Sequence, residues 1–385
     1  MLIEQAIFTS AQTDRAEGYQ LAGRSAGLSA QDACELAVWG PSHDSLLDQP
    51  GEPASTNFHR LSSGAYCVSR TTLAGAEYSG RGGAQVYTNF LVIPPELLAR
   101  FSNNPFAILR AATASGALGV GPQIPDVLKP FRLSGRAAAV DLALLAQLGR
   151  NPGSAAMASL VQTALASDRL AVAAGIDAEQ CFAGLINLLP IECRPEFSFS
   201  TGLKFSPNRA VRVSALPSDP SSWRAIARQG ITLLDLRTAD LSGNPWEGWA
   251  GCVAQILASG KLSLLAAQLE RPRPALNCSN LHHLSEQIQA KLQSGTVRST
   301  DAGDPQPTAP NIVAAESGPA NQRADGAHIR GERAVTAAAN GARKSSLDDL
   351  AVALAEQPPA ALELLERIDD LIFAAIAGDS GALAK

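Results

Sequence analysis

The sequence from residue 77 to residue 94 reads EYSGRGGAQVYTNFLVIP, a glycine-rich segment followed by an apolar one. The glycines of Gly80–Gly83 permit the positive φ angles that a sharp turn requires. From Val86 to Ile93, β-branched and aromatic residues predominate, so this part predicts a β-strand. The preceding segment, Gly64–Arg70, also predicts a strand. We therefore expect the two strands to pair as a hairpin across a glycine-rich connection.

The size and charge of the chain limit the classes of protein it can belong to. With 385 residues it is long for one hydrophobic core, so we expect two folded domains and additional segments. The formal net charge of -5 argues against nucleic-acid binding. The start of the chain lacks the pattern of a signal peptide, and no apolar run reaches the roughly 20 residues of a membrane span. Six scattered cysteines without a CxxC pair are typical of reduced thiols, so we expect a cytoplasmic protein.

The first predicted domain covers residues 1–135 and mixes strands with helices. Its other predicted elements are strands over Leu2–Thr9 and Gly18–Arg24, a helix over Ala30–Trp39 capped by Ser29, and helices over Pro95–Phe101 and Pro105–Ala114. Gly40–His59 is rich in Pro, Ser, Asp and Gly, and it predicts a surface loop.

The second predicted domain covers residues 136–275 and is more regular. From residue 169 the patterns predict the order β-α-β-β-α-β, the split βαβ arrangement of ferredoxin-like domains. Phe197–Thr201 and Val211–Ala215 are expected to be its two middle strands, joined by a turn rich in Gly, Pro and Asn. Helices follow over residues 246–258 and 261–269. The fold class is therefore α+β, with two mixed domains.

The last third of the chain predicts a helix, a disordered linker and a helical tail. The helix covers residues 276–294. Residues 295–344 contain no Leu, Phe, Tyr or Trp, so this segment has too little apolar surface to offset the entropy lost on ordering. Residues 345–385 predict a helical hairpin broken at two prolines. Its apolar stripe, which includes Leu365, Ile368 and Ile372, is expected to bind a protein partner or the chain's own core.

One segment matches the motif of serine hydrolases. Gly23-Arg24-Ser25-Ala26-Gly27 has the G-x-S-x-G pattern between a predicted strand and a predicted helix. A catalytic Ser25 would need an acidic residue and a histidine downstream, and His59 or His283 could supply the latter. The motif follows only the second strand, where no hydrolase sheet would precede it. We therefore keep a serine hydrolase as an alternative and favour a strand end followed by a helix cap.

The glycine-rich connection has two interpretations. Its backbone N–H groups and Arg81 could hold a phosphate, which makes a nucleotide- or phosphate-binding module a second alternative. Phosphate loops usually precede a helix, however, and this segment precedes a strand. We favour a turn that presents a protein-binding surface made by Tyr78, Gly80, Arg81, Gly82 and Gly83. The histidines show no metal-ligand spacing and no carboxylates are paired, so we expect neither a metal nor a cofactor.

Four segments resemble a known family. Gln5–Phe8, Gly18–Leu28 and Tyr78–Phe90 are similar to the N-terminal domain of the bacterial GTPase-associated proteins. Leu188–Thr201 is similar to the middle domain of the same proteins, and the resemblance covers roughly residues 1–270.

The resemblance implies an accessory protein that occurs with GTPases in bacterial conflict or defence systems, and it implies no catalytic residues. The linker and tail stand where many such proteins have a large C-terminal region. We expect a non-enzymatic adaptor or scaffold with a protein partner, a GTPase.

Overall fold

The fold is seen in a computed structural model that describes residues 1–12, 17–48, 52–76, 84–121, 123–237 and 246–297. Residues 1–297 form one compact unit. The predicted tail over residues 345–385 and the predicted linker beyond residue 297 lie outside the described residues. Within the described ranges, no helix is both long enough and apolar enough to span a bilayer.

Eleven strands of the described chain join in one mixed sheet. In chain order they are β1 Leu2–Gln12, β2 Glu17–Ser25, β3 Ala54–Arg60, β4 Tyr66–Ala76, β5 Ala84–Ile93, β6 Val127–Leu128, β7 Phe131–Arg132, β8 Leu170–Ala173, β9 Phe199–Ser200, β10 Val213–Ala215 and β11 Thr232–Asp235. Their order across the sheet is β11-β8-β10-β9-β3-β4-β5-β1-β2-β6, and β7 pairs with β1. The mixed α and β content agrees with the predicted α+β class.

The described part of the chain contains ten α-helices. They are α1 Ala30–Trp39, α2 Pro95–Arg100, α3 Pro105–Ala114, α4 Leu142–Leu148, α5 Ser154–Ala166, α6 Ala178–Leu188, α7 Trp223–Ala227, α8 Gly248–Ser259, α9 Leu262–Leu269 and α10 His282–Val297. The predicted cap of α1 is confirmed, because Ser29 Oγ accepts a hydrogen bond from Asp32 N at 3.0 Å. α10 continues two residues past its expected stop at Gly295.

The predicted hairpin forms the centre of the N-terminal half. β4 and β5 are antiparallel from Tyr66 opposite Ile93 to Ala76 opposite Ala84. β1 pairs antiparallel with β2, so the first two predicted strands are neighbours. On its other side, β1 pairs antiparallel with β5.

The prediction of a loop over Gly40–His59 is wrong at its end, where Ala54–Arg60 forms β3 between β4 and β9. Ser55 and Asn57 of this strand are buried although they are polar. Ser55 Oγ donates to Asn57 Oδ1 at 2.8 Å, and Asn57 Nδ2 donates to Ser69 Oγ at 3.1 Å. These hydrogen bonds satisfy the polar side chains inside the protein. β3 can therefore be buried although its sequence does not alternate between apolar and polar residues.

The C-terminal strands follow the predicted β-α-β-β-α-β order but not the predicted fold. β10 is parallel to both β8 and β9, and β11 is parallel to β8. A ferredoxin-like domain has an antiparallel sheet, so that expectation is wrong here. The cause lies in the segment between β9 and β10, which is a long crossover. Lys204 N donates to Ser45 O at 2.7 Å, and Leu203 pairs with Leu46. These contacts hold the segment after β9 against residues 45–46, so it does not form the tight turn of a hairpin.

The sheet and the main core both continue across residue 135. β3 pairs antiparallel with β9 through Asn57 opposite Ser200 and Phe58 opposite Phe199. One hydrophobic cluster contains Phe58 and Leu91 from the first half together with Phe199 from the second. In the described residues, one sheet and one main core continue across residue 135. The division into two domains at that point stays a prediction.

Arg194 joins segments from both halves inside this core. Its side chain is fully buried. Its Nε donates to Leu189 O at 3.0 Å, its Nη1 to Ser102 O at 2.8 Å and its Nη2 to Ala139 O at 2.6 Å. Burial lowers the pKa of this guanidinium to about 9, so it remains charged at neutral pH. The three carbonyl oxygens therefore satisfy its N–H groups, and the charge of Glu192 partly offsets the effect of burial.

A row of polar residues crosses the other face of the sheet. Ser214, Ser200, Asn57 and Ser69 lie opposite one another on β10, β9, β3 and β4, and all four are buried. We call this row the polar seam. On the same face, an apolar cluster with α1 lies on the N-terminal side of the seam, and a second cluster with α7 lies on the C-terminal side. The seam is therefore a polar strip between two small apolar cores.

Candidate functional site

The residues predicted to bind a partner lie outside the described part of the chain. Tyr78, Gly80, Arg81, Gly82, Gly83, Leu365, Ile368 and Ile372 all belong to this set. The described chain stops at Ala76 and resumes at Ala84, which pair with each other at the end of the β4–β5 hairpin. The sheet thus fixes Ala76 and Ala84, the residues on either side of the glycine-rich connection. The surface beside this end of the hairpin belongs to the described residues.

A wide groove of about 1320 Å³ lies beside the same end of the hairpin. Its walls come from β1, β2, the ends of β4 and β5, and the segment that leads into β6. The lining residues are Thr9, Ser10, Ala11, Gln12, Gln20, Leu21, Ala22, Gly23, Arg24, Ala74, Gln85, Tyr87, Val120, Gly121, Ile124, Asp126 and Val127. Ala74 lies three residues before the segment 77–83 and Gln85 lies two residues after it, so the groove and the predicted surface are neighbours along the chain.

The floor of the groove is polar and held by hydrogen bonds. Gln85 Nε2 donates to Thr9 Oγ1 at 2.9 Å and to Ser10 O at 2.6 Å. Thr9 Oγ1 donates to Val86 O at 2.8 Å, and Gln20 Nε2 donates to Ala11 O at 2.9 Å. These side chains are fixed before any partner arrives, which lowers the entropy lost on binding.

The rim of the groove combines charge with exposed apolar surface. Val120 and Val127 are 50% and 65% exposed. Arg24 is exposed beside Asp126, whose carbonyl oxygen accepts from Arg24 N. Tyr87 closes one wall, where burial raises the pKa of its hydroxyl group. The groove offers both hydrogen-bonding groups and apolar side chains, and a peptide segment has backbone polar groups and side chains that can contact each kind.

The G-x-S-x-G segment is a packing motif in this fold. Ser25 is 1% exposed, and its Oγ accepts from Gln5 N at 2.9 Å and donates to Gln5 O at 3.1 Å. A Cβ at Gly23 would lie 2.5 Å from the Pro125 carbonyl oxygen, and one at Gly27 would lie 2.3 Å from Glu4 Oε1. The glycines therefore allow close approach, and Ser25 joins β2 to β1.

The structure separates Ser25 from His59. His59 is on β3, and β4, β5 and β1 lie between it and β2. Four strand spacings of about 4.8 Å separate the two strands by ~19 Å, far beyond a hydrogen bond. His283 is on α10 and is largely exposed, with its Nδ1 3.8 Å from Glu286 Oε2.

We expect Ser25→Ala to lower the free energy of unfolding by about 1 kcal/mol, because it removes the two bonds to the Gln5 backbone. We also expect no labelling of the wild-type protein by a fluorophosphonate probe. Urea titration and in-gel fluorescence measure the two effects. Ser218→Ala, which changes an exposed serine, should leave the unfolding energy within about 0.5 kcal/mol. Labelling that disappears in Ser25→Ala would contradict this prediction.

The sequence offered His59 as a candidate catalytic partner of Ser25, and the structure shows that it packs against an aromatic ring instead. Its ring stacks on Trp39 with centroids 3.5 Å apart and an interplanar angle of 4°. Both ring nitrogens are buried, and neither has a hydrogen-bond partner among the described residues. Burial lowers the pKa of His59 to about 3, so the ring is neutral near pH 7. Within the same residues, no group of three or more His, Cys, Asp or Glu side chains could hold a metal.

Residues 2–130 match the family model described as GTPase-associated protein 1, N-terminal domain type 2. The resemblance predicted for the N-terminal segment is confirmed over these residues. The matched segment contains every residue that lines the groove and also the glycine-rich connection. The similarity of Leu188–Thr201 to a middle domain stays a prediction. No curated protein matches the chain.

Proposed function

We propose that this protein is a non-enzymatic adaptor or scaffold that binds a protein partner through the groove and the adjoining glycine-rich connection. The observation that carries the proposal is the position of the groove, beside both ends of the connection and inside the matched segment. The partner contributes a peptide segment or loop, because the groove is open and is lined mainly by amide, hydroxyl and apolar groups.

The chemistry of the groove supports binding better than catalysis. Its glutamine and threonine side chains already bond to the backbone of β1 and β5, and a threonine hydroxyl needs an adjacent base to act as a nucleophile. The one serine in a hydrolase motif, Ser25, is buried and bonded elsewhere. The rim exposes Arg24, Val120 and Val127, and arginine is enriched among the residues that contribute most to protein binding.

The partner is a GTPase in this proposal. The description of the matched family names association with a GTPase, and the residues that match include the whole groove. We further propose that the complex acts in the cytoplasm, within a multi-component bacterial conflict or signalling system. The tail residues Leu365, Ile368 and Ile372 remain candidates for a second contact. A serine hydrolase and a phosphate-binding module at Gly80–Gly83 remain the alternatives.

The first test is co-purification of the tagged full-length chain from its native cells, followed by mass spectrometry. We expect a GTPase among the recovered proteins, and its recombinant form should bind the purified chain in calorimetry. Arg24→Glu and Val127→Asp on the rim should each weaken this binding by about tenfold or more, because interface anchors typically contribute over 1 kcal/mol.

The controls make the same chemical changes away from the groove. Val38→Asp alters a valine of α1 that is 58% exposed, and Arg224→Glu alters an exposed arginine of α7. Neither should change the affinity. Recovery of no GTPase, or equal affinity for the rim variants and the wild type, would contradict the proposal.

A further inference from the structure

A second, smaller cavity lies over the polar seam, far from the groove along the sheet. It is covered by the crossover between β9 and β10. Trp39, Leu203, Phe205 and Val211 form its apolar part, and its polar part comes from Asn57, Ser200, Ser206, Ser214, Lys204 and Arg209. Its volume of about 10 Å³ is close to the room needed for one water-sized atom. The cavity can therefore admit one oxygen atom of a larger group whose remainder stays at the mouth.

Arg209 reaches this cavity without a charged partner. A turn, in which Arg209 N donates to Ser206 O at 3.0 Å, precedes its side chain. Its Nη2 makes only a long bond of 3.4 Å to Lys204 O, and its buried Nε has no partner among the described residues. Burial lowers the pKa of Arg209, and no carboxylate offsets that effect. A half-buried cation in this situation is stabilised by an anion.

Two further cations lie around the same cavity. Lys204 is exposed and lines the mouth. Arg169 stacks on Phe205, with its Cζ 4.9 Å from the ring centroid, and its buried Nε also lacks a partner within the described ranges. Phe205 itself lines the cavity, and none of the described lining residues is acidic. The potential at this point of the surface is therefore positive.

The floor of the cavity adds uncharged hydrogen-bonding groups. Ser200 Oγ donates to Asn57 Oδ1 at 2.7 Å and accepts from Leu203 N at 3.2 Å, so it is occupied by the protein. Ser206 and Ser214 bring two more hydroxyl groups to the lining. Hydroxyl and guanidinium donors around one oxygen-sized space are the groups that hold tetrahedral oxyanions in proteins.

We propose that this cavity binds a phosphate group, either as inorganic phosphate or as the phosphate of a small monoester. One phosphate oxygen enters the cavity towards the polar seam, and the others face Arg209 and Lys204 at the mouth. The site shares no lining residue with the groove, and it does not depend on the proposed adaptor role.

The test is calorimetric titration of the full-length protein with inorganic phosphate and, separately, with ribose 5-phosphate at constant ionic strength. We expect saturable binding of at least one of the two, and the tighter one identifies the source of the group. Arg209→Gln should weaken it by at least about tenfold, since a charge-assisted bond is lost. Arg228→Gln, which changes an exposed arginine just after α7, should bind like the wild type.

A second variant separates binding from folding. Arg209→Lys keeps the positive charge but not the planar fork, so it should fold normally and bind more weakly than the wild type. The thermal midpoint of each variant without ligand confirms that it is folded. No saturable binding of either ligand, or undiminished binding by Arg209→Gln, would overturn the proposal and leave the cavity as a site for water.

Discussion

Replacing Arg194 with alanine is expected to lower the free energy of unfolding by about 3–5 kcal/mol. The guanidinium is fully buried and donates to the carbonyl oxygens of Leu189, Ser102 and Ala139. Alanine would leave these oxygens without a donor inside the core and would also create a cavity. Each buried carbonyl that loses its partner costs about 1–3 kcal/mol, so the loss should exceed that of an ordinary surface change. Urea unfolding followed by tryptophan fluorescence measures it.

Two companion variants identify the cause of the loss. Arg194→Lys keeps the charge, but one ammonium group cannot reach three carbonyl oxygens in different directions, so it should also be clearly destabilised. Arg224→Ala on α7 removes an exposed arginine and should change the unfolding energy by less than about 0.5 kcal/mol. If Arg194→Ala lost less than about 1 kcal/mol, the guanidinium would not be joining the two halves as described.

The second large effect is a loss of stability in acid that originates at His59. Its pKa is about 3 in the folded protein, because it is buried, and about 6.5 when the chain is unfolded. The stability that comes from keeping this ring neutral is therefore present above pH 6.5 and is lost as the pH falls towards 3. At pH 5 the loss is about 2 kcal/mol, since each pH unit in this window is worth about 1.4 kcal/mol.

The contribution of His59 can be isolated by comparing variants across pH. His59→Phe keeps an aromatic ring against Trp39 but cannot bind a proton. The decrease in unfolding energy between pH 7 and pH 5 should be about 2 kcal/mol smaller in this variant than in the wild type. His283→Phe changes a largely exposed histidine and should leave the decrease unchanged. Equal decreases in the wild type and His59→Phe would show that His59 titrates normally.

The sequence predicted correctly those helices and strands whose signals come from residues close together in the chain. Ser29 begins α1, and Pro95 and Pro105 begin α2 and α3, because caps and prolines act within one helical turn. The hairpin of β4 and β5 was predictable for the same reason, since its strands are apolar and consecutive. β3 was not, because the buried amide of Asn57 finds its partners in two other strands, at Ser69 of β4 and Ser200 of β9.

Features that depend on contacts between distant segments could not be predicted from the sequence. The parallel direction of β9 and β10 depends on where the crossover docks, and its contact is Ser45, more than a hundred residues earlier. The groove draws its lining from β1, β2 and residues 120–127, and no single segment contains its pattern. Ala74 and Gln85, which stand on either side of the predicted partner-binding segment, line that groove only because the hairpin ends beside it.

The pairing of β3 with β9 has a consequence for synthesis on the ribosome. Asn57 and Ser200, which bond across it, are 143 residues apart, and chains emerge from the N-terminus first. Until residue 200 has emerged, β3 has an open edge able to pair with other nascent chains. A fragment that stops at residue 130 would keep this open edge permanently, although it contains the whole groove. We therefore expect a slower arrival of residue 200 to prolong the time in which this edge is open to aggregation.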